Sequence, residues 1–297
     1  MKTIRRLARI PALLLPLLLS GCFVISTTRR LPVPKMPSIT QTVTPDELVK
    51  RLNERWASLD SMTAKVDILT SVLQTKEGLA KDYTRMSGII VMRKPEQLRV
   101  LGRAPVIGIT MFDMASDGKE FTLYIPSKNI AYKGPATLKK KSAIQYENIR
   151  PGFFLDALAV RGLEPDDLFS VVTASETIED AARKHLFTVP EYVLSISRRK
   201  PGTQQLIPVR VVTFRRDNLL PYQQDIYDSE GRLETHVTYS AYQAFEGNQY
   251  PSTVTINRPL DEVQIILNVE DVHENLTLND DQFVIATPEG AKVQTQE

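Results

Sequence analysis

Cys22 is the residue whose chemistry the sequence indicates most clearly. It is the single cysteine among 297 residues, so it cannot form an intrachain disulfide. It follows Leu19-Ser20-Gly21 at the end of an apolar stretch, residues 10–19, which is interrupted only by two prolines. That stretch is shorter than the roughly 20 apolar residues that a membrane-spanning helix needs. A thiol in this place is a nucleophile that is available for acylation.

The leader before Cys22 has the layout of an export signal, because a basic start precedes the apolar stretch. A leucine, two small residues and a cysteine resemble the lipobox of bacterial lipoproteins. The resemblance implies that residues 1–21 are a lipoprotein signal peptide and that Cys22 carries a covalent lipid, with no other cofactor. Phe23 stands where an inner-membrane retention signal has aspartate. By resemblance to enterobacterial sorting rules, this favours the outer membrane and a periplasmic domain. A signal peptide that ends near a structural cysteine is the alternative.

The charge balance changes when the leader is removed. Four of the 37 Lys and Arg residues and none of the 35 Asp and Glu residues precede Cys22, so the remaining chain has a net charge of about −2. A basic whole chain is therefore no argument for nucleic acid as a partner. The membrane is the expected partner through the acyl anchor, since two or more buried acyl chains suffice for stable attachment.

Residues 22–44 are predicted to be a tether. Pro32, Pro34 and Pro37 are spaced so that no helix or central strand can form. At about 3.1 Å per residue, such a segment could hold a domain as far as roughly 70 Å from the membrane. A disordered leader with no positional role is the equal alternative.

The folded domain is predicted to cover residues 45–297 and to open with a helix. Thr44 can cap this helix, Pro45 suits its first position, and Glu47 completes a capping box. Apolar residues then recur at three- and four-residue spacing, which predicts one buried stripe: Leu48, Leu52, Trp56 and Leu59.

After this helix the apolar period is near two for most of the chain, which predicts strands. A second helix is expected from Pro151 to Gly162, and Asp166 to Val171 could add another helical turn or two. The expected strands are 63–74, 83–93, 97–102, 107–115, 119–125, 129–134, 186–189, 192–199, 207–216, 222–228, 232–245, 252–257, 263–269 and 282–285. Short connections favour one antiparallel meander in a mainly β fold with a few helices, and such a sheet must curl.

Methionines on one face of the strand 83–93 indicate a cavity. Alternate residues of that strand share one face: Met86, Gly88, Ile90 and Met92. Met111 or Met114 could join this face from the next strands. Methionine adapts to irregular space, so we expect Met86, Ile90, Met92 and Met111 to line a ligand cavity. An ordinary core that uses methionine as packing has equal weight.

The end of the chain points to a family. Asp281 to Val293 combines a phenylalanine strand, Pro-x-Gly and a final valine, at Phe283, Pro288, Gly290 and Val293. Together with the capped helix and the strand meander, this tail resembles the LolA/LolB lipoprotein-localisation superfamily. The resemblance covers about residues 45–293 and implies an unclosed half-barrel, lidded by helices, whose concave apolar face holds acyl chains. This mature chain is longer than LolB and, unlike the soluble LolA, is predicted to be anchored.

The segment Leu98 to Gly108 is similar to the strand and loop of LolB that push an exposed hydrophobic residue into the membrane. The resemblance implies that Val106 and Ile107 contact the membrane. The alternative is that Ile107 opens the next strand.

No enzyme chemistry is predicted. The three histidines lie far apart without metal-ligand spacing, and no G-x-S-x-G, Walker or Rossmann pattern occurs. We therefore expect no catalytic residue, no metal and a monomer. The leading hypothesis is an anchored protein that binds lipid or acylated protein, and the alternative is an envelope scaffold or sensor that moves no lipid.

Overall fold

The computed structural model describes residues 39–74, 79–83, 85–136, 150–179 and 186–296. In these ranges the α-helices are α1 (Pro45–Ser58) and α2 (Pro151–Leu158). The strands of the first half are β1 (Ser61–Gln74), β2 (Leu79–Asp82), β3 (Met86–Arg93), β4 (Gln97–Arg103), β5 (Thr110–Ser116), β6 (Glu120–Ile125) and β7 (Ile130–Pro135). Those of the second half are β8 (Asp167–Glu179), β9 (Leu186–Arg199), β10 (Leu206–Arg215), β11 (Pro221–Tyr227), β12 (Leu233–Phe245), β13 (Asn248–Arg258), β14 (Val263–Glu274) and β15 (Lys292–Thr295).

All these strands belong to one sheet that consists of two antiparallel arms. Strands β3 to β7 follow one another in the first arm, and β8 to β14 follow one another in the second. The arms meet where β1 pairs with β3 on one side and with β14 on the other. The pairing of β1 with β14 joins residues about 200 positions apart in the chain, for example Met62 with Glu274.

The sheet does not close on itself. Within the described residues, one edge is β15, which pairs with β7 in parallel, and the other edge is β8, which pairs only with β9. The expected fold class is therefore confirmed: a mainly β protein with an unclosed, curved sheet and two helices. The predicted single meander is modified at two places, the β1–β14 seam and the parallel β15.

Helix α1 begins as the sequence predicts. The backbone N–H of Glu47 donates to the Thr44 hydroxyl at 3.2 Å, and Pro45 occupies the first helical turn. Only the Thr44 half of the predicted capping box forms. The Glu47 carboxylate accepts from Arg51 at 3.0 Å instead of from the Thr44 backbone N–H. Leu48 and Leu52 of this stripe pack on the second arm of the sheet, against residues of β9 and β10: Tyr192, Leu194, Ile196, Val212 and Phe214. Leu59 belongs to the larger core cluster, and Trp56 packs against it.

Helix α2 is short and lies over the centre of the sheet. It contacts β4, β5 and β13, and its Phe153, Phe154, Leu155 and Leu158 are buried. A helix of eight residues is not stable alone, so its packing and its end contacts must hold it. Its side chains join the larger core cluster, which draws on both arms of the sheet.

Three polar side chains of the sheet satisfy the last carbonyl groups of α2. Tyr239 donates to Ala157 O at 2.9 Å, Tyr250 donates to Leu158 O at 2.8 Å, and Gln224 donates to Asp156 O at 2.8 Å. The last carbonyls of a helix lack intrahelical partners, and leaving them buried and unpaired is costly. The sheet therefore fixes where α2 ends.

Four local predictions are wrong. Helix α2 ends at Leu158 rather than Gly162. Asp166 lies in a turn and Asp167 to Val171 begins strand β8, because pairing with β9 outweighs local helix signals. Residues 282–285 are no strand, since Asp280–Phe283 forms a 3-10 helix with a capping box at Asn279. The predicted strand 107–115 begins only at Thr110.

Proline 190 does not break β9, although the sequence predicts two separate strands there. Its carbonyl accepts from Arg216 N at 3.0 Å, on the side of β10. On the other side of β9, Val189, Pro190 and Glu191 pair continuously with β8, opposite Glu176, Ser175 and Ala174. The strand therefore runs through the proline.

Candidate functional site

A cavity of about 350 Å³ lies where α1 crosses the second arm of the sheet. Its floor comes from α1, from the chain directly after α2, and from the hairpins β10–β11 and β12–β13. The volume lies at the lower end of the range of ligand pockets. Its apolar and aromatic lining includes Leu52, Trp56, Leu158, Val160, Phe214, Leu219, Leu220, Tyr239, Tyr242 and Tyr250.

The three tyrosines turn their rings toward this cavity because their hydroxyls are used elsewhere. Those of Tyr239 and Tyr250 donate to the end of α2, and that of Tyr242 donates to the Pro221 carbonyl. Burial raises the pKa of each of the three phenols, so none ionises near neutral pH. The wall they form is uncharged and largely apolar.

The mouth of the cavity is polar. Its exposed lining residues are Arg51, Arg55, Asn218, Asn248 and Gln249. Arg55 spans one side of it and forms a bidentate ion pair with Glu274, to which Asn248 also donates at 2.8 Å. Hydrogen bonding to Glu274 raises the pKa of Arg55. An apolar interior with a polar rim suits an amphipathic ligand.

The loop between β4 and β5 exposes three apolar side chains. Val106 is fully exposed, and Ile107 and Ile109 are 68% and 60% exposed. The loop is held by hydrogen bonds from Ala104 N to Ile109 O and from Gly108 N to Ala104 O, at 2.8 and 3.0 Å. Val106 has a positive φ of 72°, which is a strained conformation for a β-branched residue.

The four residues predicted to line a ligand cavity differ in their surroundings. Ile90 and Met92 point to the concave face as predicted, but both are fully buried in the larger core cluster. Met86 is half-buried against that cluster, and Met111 is 40% exposed on β5. None of the four lines the cavity beneath α1. Cys22 lies outside the described residues.

The residues that form the observed cavity are not predicted from the sequence. The apolar spacing places Trp56 only in the buried stripe of α1, and no motif marks the tyrosines of β12 and β13. One signal was present: Leu219-Leu220-Pro221 is an apolar run in a turn between two strands, where polar residues are typical. Ile109 was likewise assigned to a strand and instead belongs to the exposed loop.

The described histidines have structural partners. His236 Nδ1 lies 2.5 Å from Asp225 Oδ1, and His273 Nδ1 lies 2.7 Å from Glu246 Oε1. These hydrogen bonds raise the pKa of both histidines. Across the described ranges, no group of three or more His, Cys, Asp or Glu residues is placed to hold a metal ion.

Within those same ranges, no helix has both the length and the apolar character needed to cross a membrane.

Neither a protein-family model nor a curated protein matches this chain. Solved structures do resemble it, at low identity. A LolA superfamily protein from Nitrosomonas europaea is 17% identical with a TM-score of 0.48, covering 82% of this chain and 99% of that one. A putative outer membrane lipoprotein-sorting protein domain from Vibrio parahaemolyticus is 12% identical with a TM-score of 0.45, covering 80% and 94%.

A DUF1329 family protein from Desulfovibrio piger is 15% identical with a TM-score of 0.46, covering 80% and 95%. The superfamily that the sequence tail resembles thus also occurs among the structural neighbours. At these identities and scores the likeness concerns the general fold alone.

Replacing Met92 distinguishes packed core from ligand space. We expect Met92→Ala to lower the free energy of unfolding by about 2–5 kcal/mol, since it leaves a cavity in a closely packed core. The matched control is Met111→Ala on the half-exposed surface, with an expected change below about 0.5 kcal/mol. Urea unfolding of both variants measures this. An unchanged stability of Met92→Ala would mean that the space around Met92 is open.

Proposed function

We propose that this chain is a lipid-anchored protein of the bacterial envelope that takes an acyl chain into the cavity beneath α1. The observation that carries this proposal is the cavity itself, with its apolar and aromatic wall and polar mouth. Burying an acyl chain there stabilises the complex by roughly 0.8 kcal/mol for each methylene removed from water. The ligand would be a lipid or the acyl part of another lipoprotein.

Two further features support a place at a membrane. The leader ends in a lipobox-like sequence, and acylation of Cys22 would tether the domain to the outer membrane, on its periplasmic side. The strained loop at residues 104–109 would insert its apolar side chains among lipids, because exposing them to water without a partner is unfavourable. We infer a carrier or acceptor role, with binding rather than catalysis as its basis.

Trp56 provides a direct test of the cavity, because it is the single tryptophan of the chain and lines that cavity. A fatty acid brominated in mid-chain should quench its fluorescence on binding to the full-length Cys22→Ser chain. The same fatty acid without bromine should bind without this quenching and should compete for the site.

A pair of variants makes this measurement specific. Leu220→Glu places a carboxylate in the apolar wall of the cavity and should weaken binding at least about tenfold, which corresponds to about 1.4 kcal/mol. The control, Leu206→Glu, alters an exposed leucine of β10 outside the cavity and should bind as the parent does. Equal affinity for both variants, or no quenching at all, would support the scaffold or sensor role instead.

The membrane contact is tested by replacing Val106 and Ile107 with serine together. The free energy of unfolding should change by less than about 0.5 kcal/mol, because both side chains are exposed. Flotation with liposomes should show at least about tenfold weaker association of the unanchored chain. The double variant Leu276→Ser and Val284→Ser removes apolar residues that are also exposed, and it should keep its association. Weakened association in both variants would argue against a specific membrane loop.

The anchor is tested by metabolic labelling with a fatty acid analogue. The parent chain should incorporate the label, and Cys22→Ser should not, because the chain has no other thiol. Equal labelling of the two would contradict acylation at Cys22.

A further inference from the structure

A second cavity, of about 460 Å³, lies at the other end of the strands that line the first one. Leu158 to Val160 line the first cavity, and Arg161 and Gly162 line the second, so the chain after α2 runs between them. The starts of β8 and β10 and the ends of β9 and β11 also border the second cavity. The strand directions place it at the same end of the sheet as the exposed loop 104–109.

Two ion pairs in the wall of this cavity are internally neutralised. The Asp167 carboxylate is 1% exposed and accepts from Arg198 Nε and Nη2 at 3.0 and 2.8 Å. It also accepts from the backbone N–H of Glu164 at 2.9 Å. Asp156 is paired with Arg161. These four side chains therefore contribute no net charge.

Among the described residues, Arg210 is a buried cation that forms no ion pair with a carboxylate. Its side chain comes from β10, lines the cavity, and belongs to a residue that is only 7% exposed. Within the described part of the chain, its one hydrogen bond runs from Nη2 to Gly162 O at 3.2 Å, and its buried Nε has no acceptor. Burying a guanidinium with its Nε–H left without an acceptor is unfavourable. An oxyanion in the cavity would supply the missing acceptors.

The rim of the cavity carries the opposite charge. Glu164 and Asp166 line it, are exposed, and form no ion pair with any other described residue. A simple anion would be repelled at this rim, and a simple cation would be repelled by Arg210 inside. The arrangement complements a ligand that is negative at its inner end and positive at its outer end.

We propose that this cavity binds a phosphoethanolamine-type group, with the phosphate on Arg210 and the ammonium between Glu164 and Asp166. The planar guanidinium suits a phosphate through paired hydrogen bonds. The shared end of the sheet with loop 104–109 would bring the cavity near lipid headgroups when that loop contacts a membrane. The site is separate from the acyl cavity, so a failure to bind phosphoethanolamine and a failure to bind an acyl chain are independent results.

The test uses glycerophosphoethanolamine as a soluble probe in calorimetric titration of the full-length Cys22→Ser chain. We expect binding that is at least about tenfold tighter than that of glycerol 3-phosphate or inorganic phosphate. Arg210→Gln should weaken it at least about tenfold. The control, Arg199→Gln, alters an arginine that pairs with Gln204 outside the cavity and should bind as the parent does.

A second variant keeps the test valid if Arg210→Gln does not fold. Glu164→Gln with Asp166→Asn changes only exposed side chains and should abolish the preference for the amine-bearing probe over glycerol 3-phosphate. Equal binding of inorganic phosphate, or a preference that survives this variant, would overturn the proposal. The absence of binding would also overturn it.

Vesicles assign the source of the group. If phosphatidylethanolamine vesicles bind the chain in an Arg210-dependent way and phosphatidylglycerol vesicles do not, the ligand is a lipid headgroup. If only the soluble ester binds in that way, it is a free phosphoethanolamine compound. Both results support the site.

Discussion

The whole structure depends on covering one apolar face of one very wide sheet. Strands from both arms turn their buried side chains to the same face, and these side chains form the two core clusters. An open sheet cannot bury this face against itself unless it curls, and curling leaves a trough that other elements must fill. Within the described residues, two helices lie in that trough: α1 over β9 and β10, and α2 over the centre.

The cover is uneven because the two helices differ in how they are held. α2 is fixed by buried aromatic side chains and by three hydrogen bonds from the sheet to its last carbonyls, so the core below it is densely packed. α1 packs with one stripe only, and its end is tied by Lys94, which donates to Trp56 O at 2.7 Å, and by the ion pair of Arg55 with Glu274. Space therefore remains beside α1, and the chain after α2 divides the trough into an apolar and a charged cavity.

The two cavities and the exposed loop together suit a ligand with both apolar and charged parts. The first cavity offers aromatic rings whose hydroxyls are already hydrogen-bonded, and the second offers a buried guanidinium that has one hydrogen bond. Both cavities draw on strands of the second arm, together with helix residues and the chain after α2. The loop at Val106 belongs to the first arm, and the β1–β14 seam joins the two arms into one unit. The cavities and the exposed loop thus lie on different arms of one sheet.

The sequence by itself determined the features that depend on local pattern. Thr44 and Pro45 define the start of α1, and alternating apolar residues define most strands. In β3, the apolar residues at every second position correctly give the buried face. The exposed Val106 and Ile107 were found from a local resemblance. Local pattern failed at Asp166 to Val171 and at Pro190, where the neighbouring strand decides the conformation. It also could not tell packing from cavity at Ile90 and Met92, because a buried apolar side chain looks the same in sequence whether it faces another side chain or empty space. Only the tertiary structure decided that α1 leaves a cavity at Trp56, since that cavity forms between residues more than a hundred positions apart. It alone also decided that Arg210 is buried with no ion pair to a described carboxylate, since this follows from the path of the chain after α2.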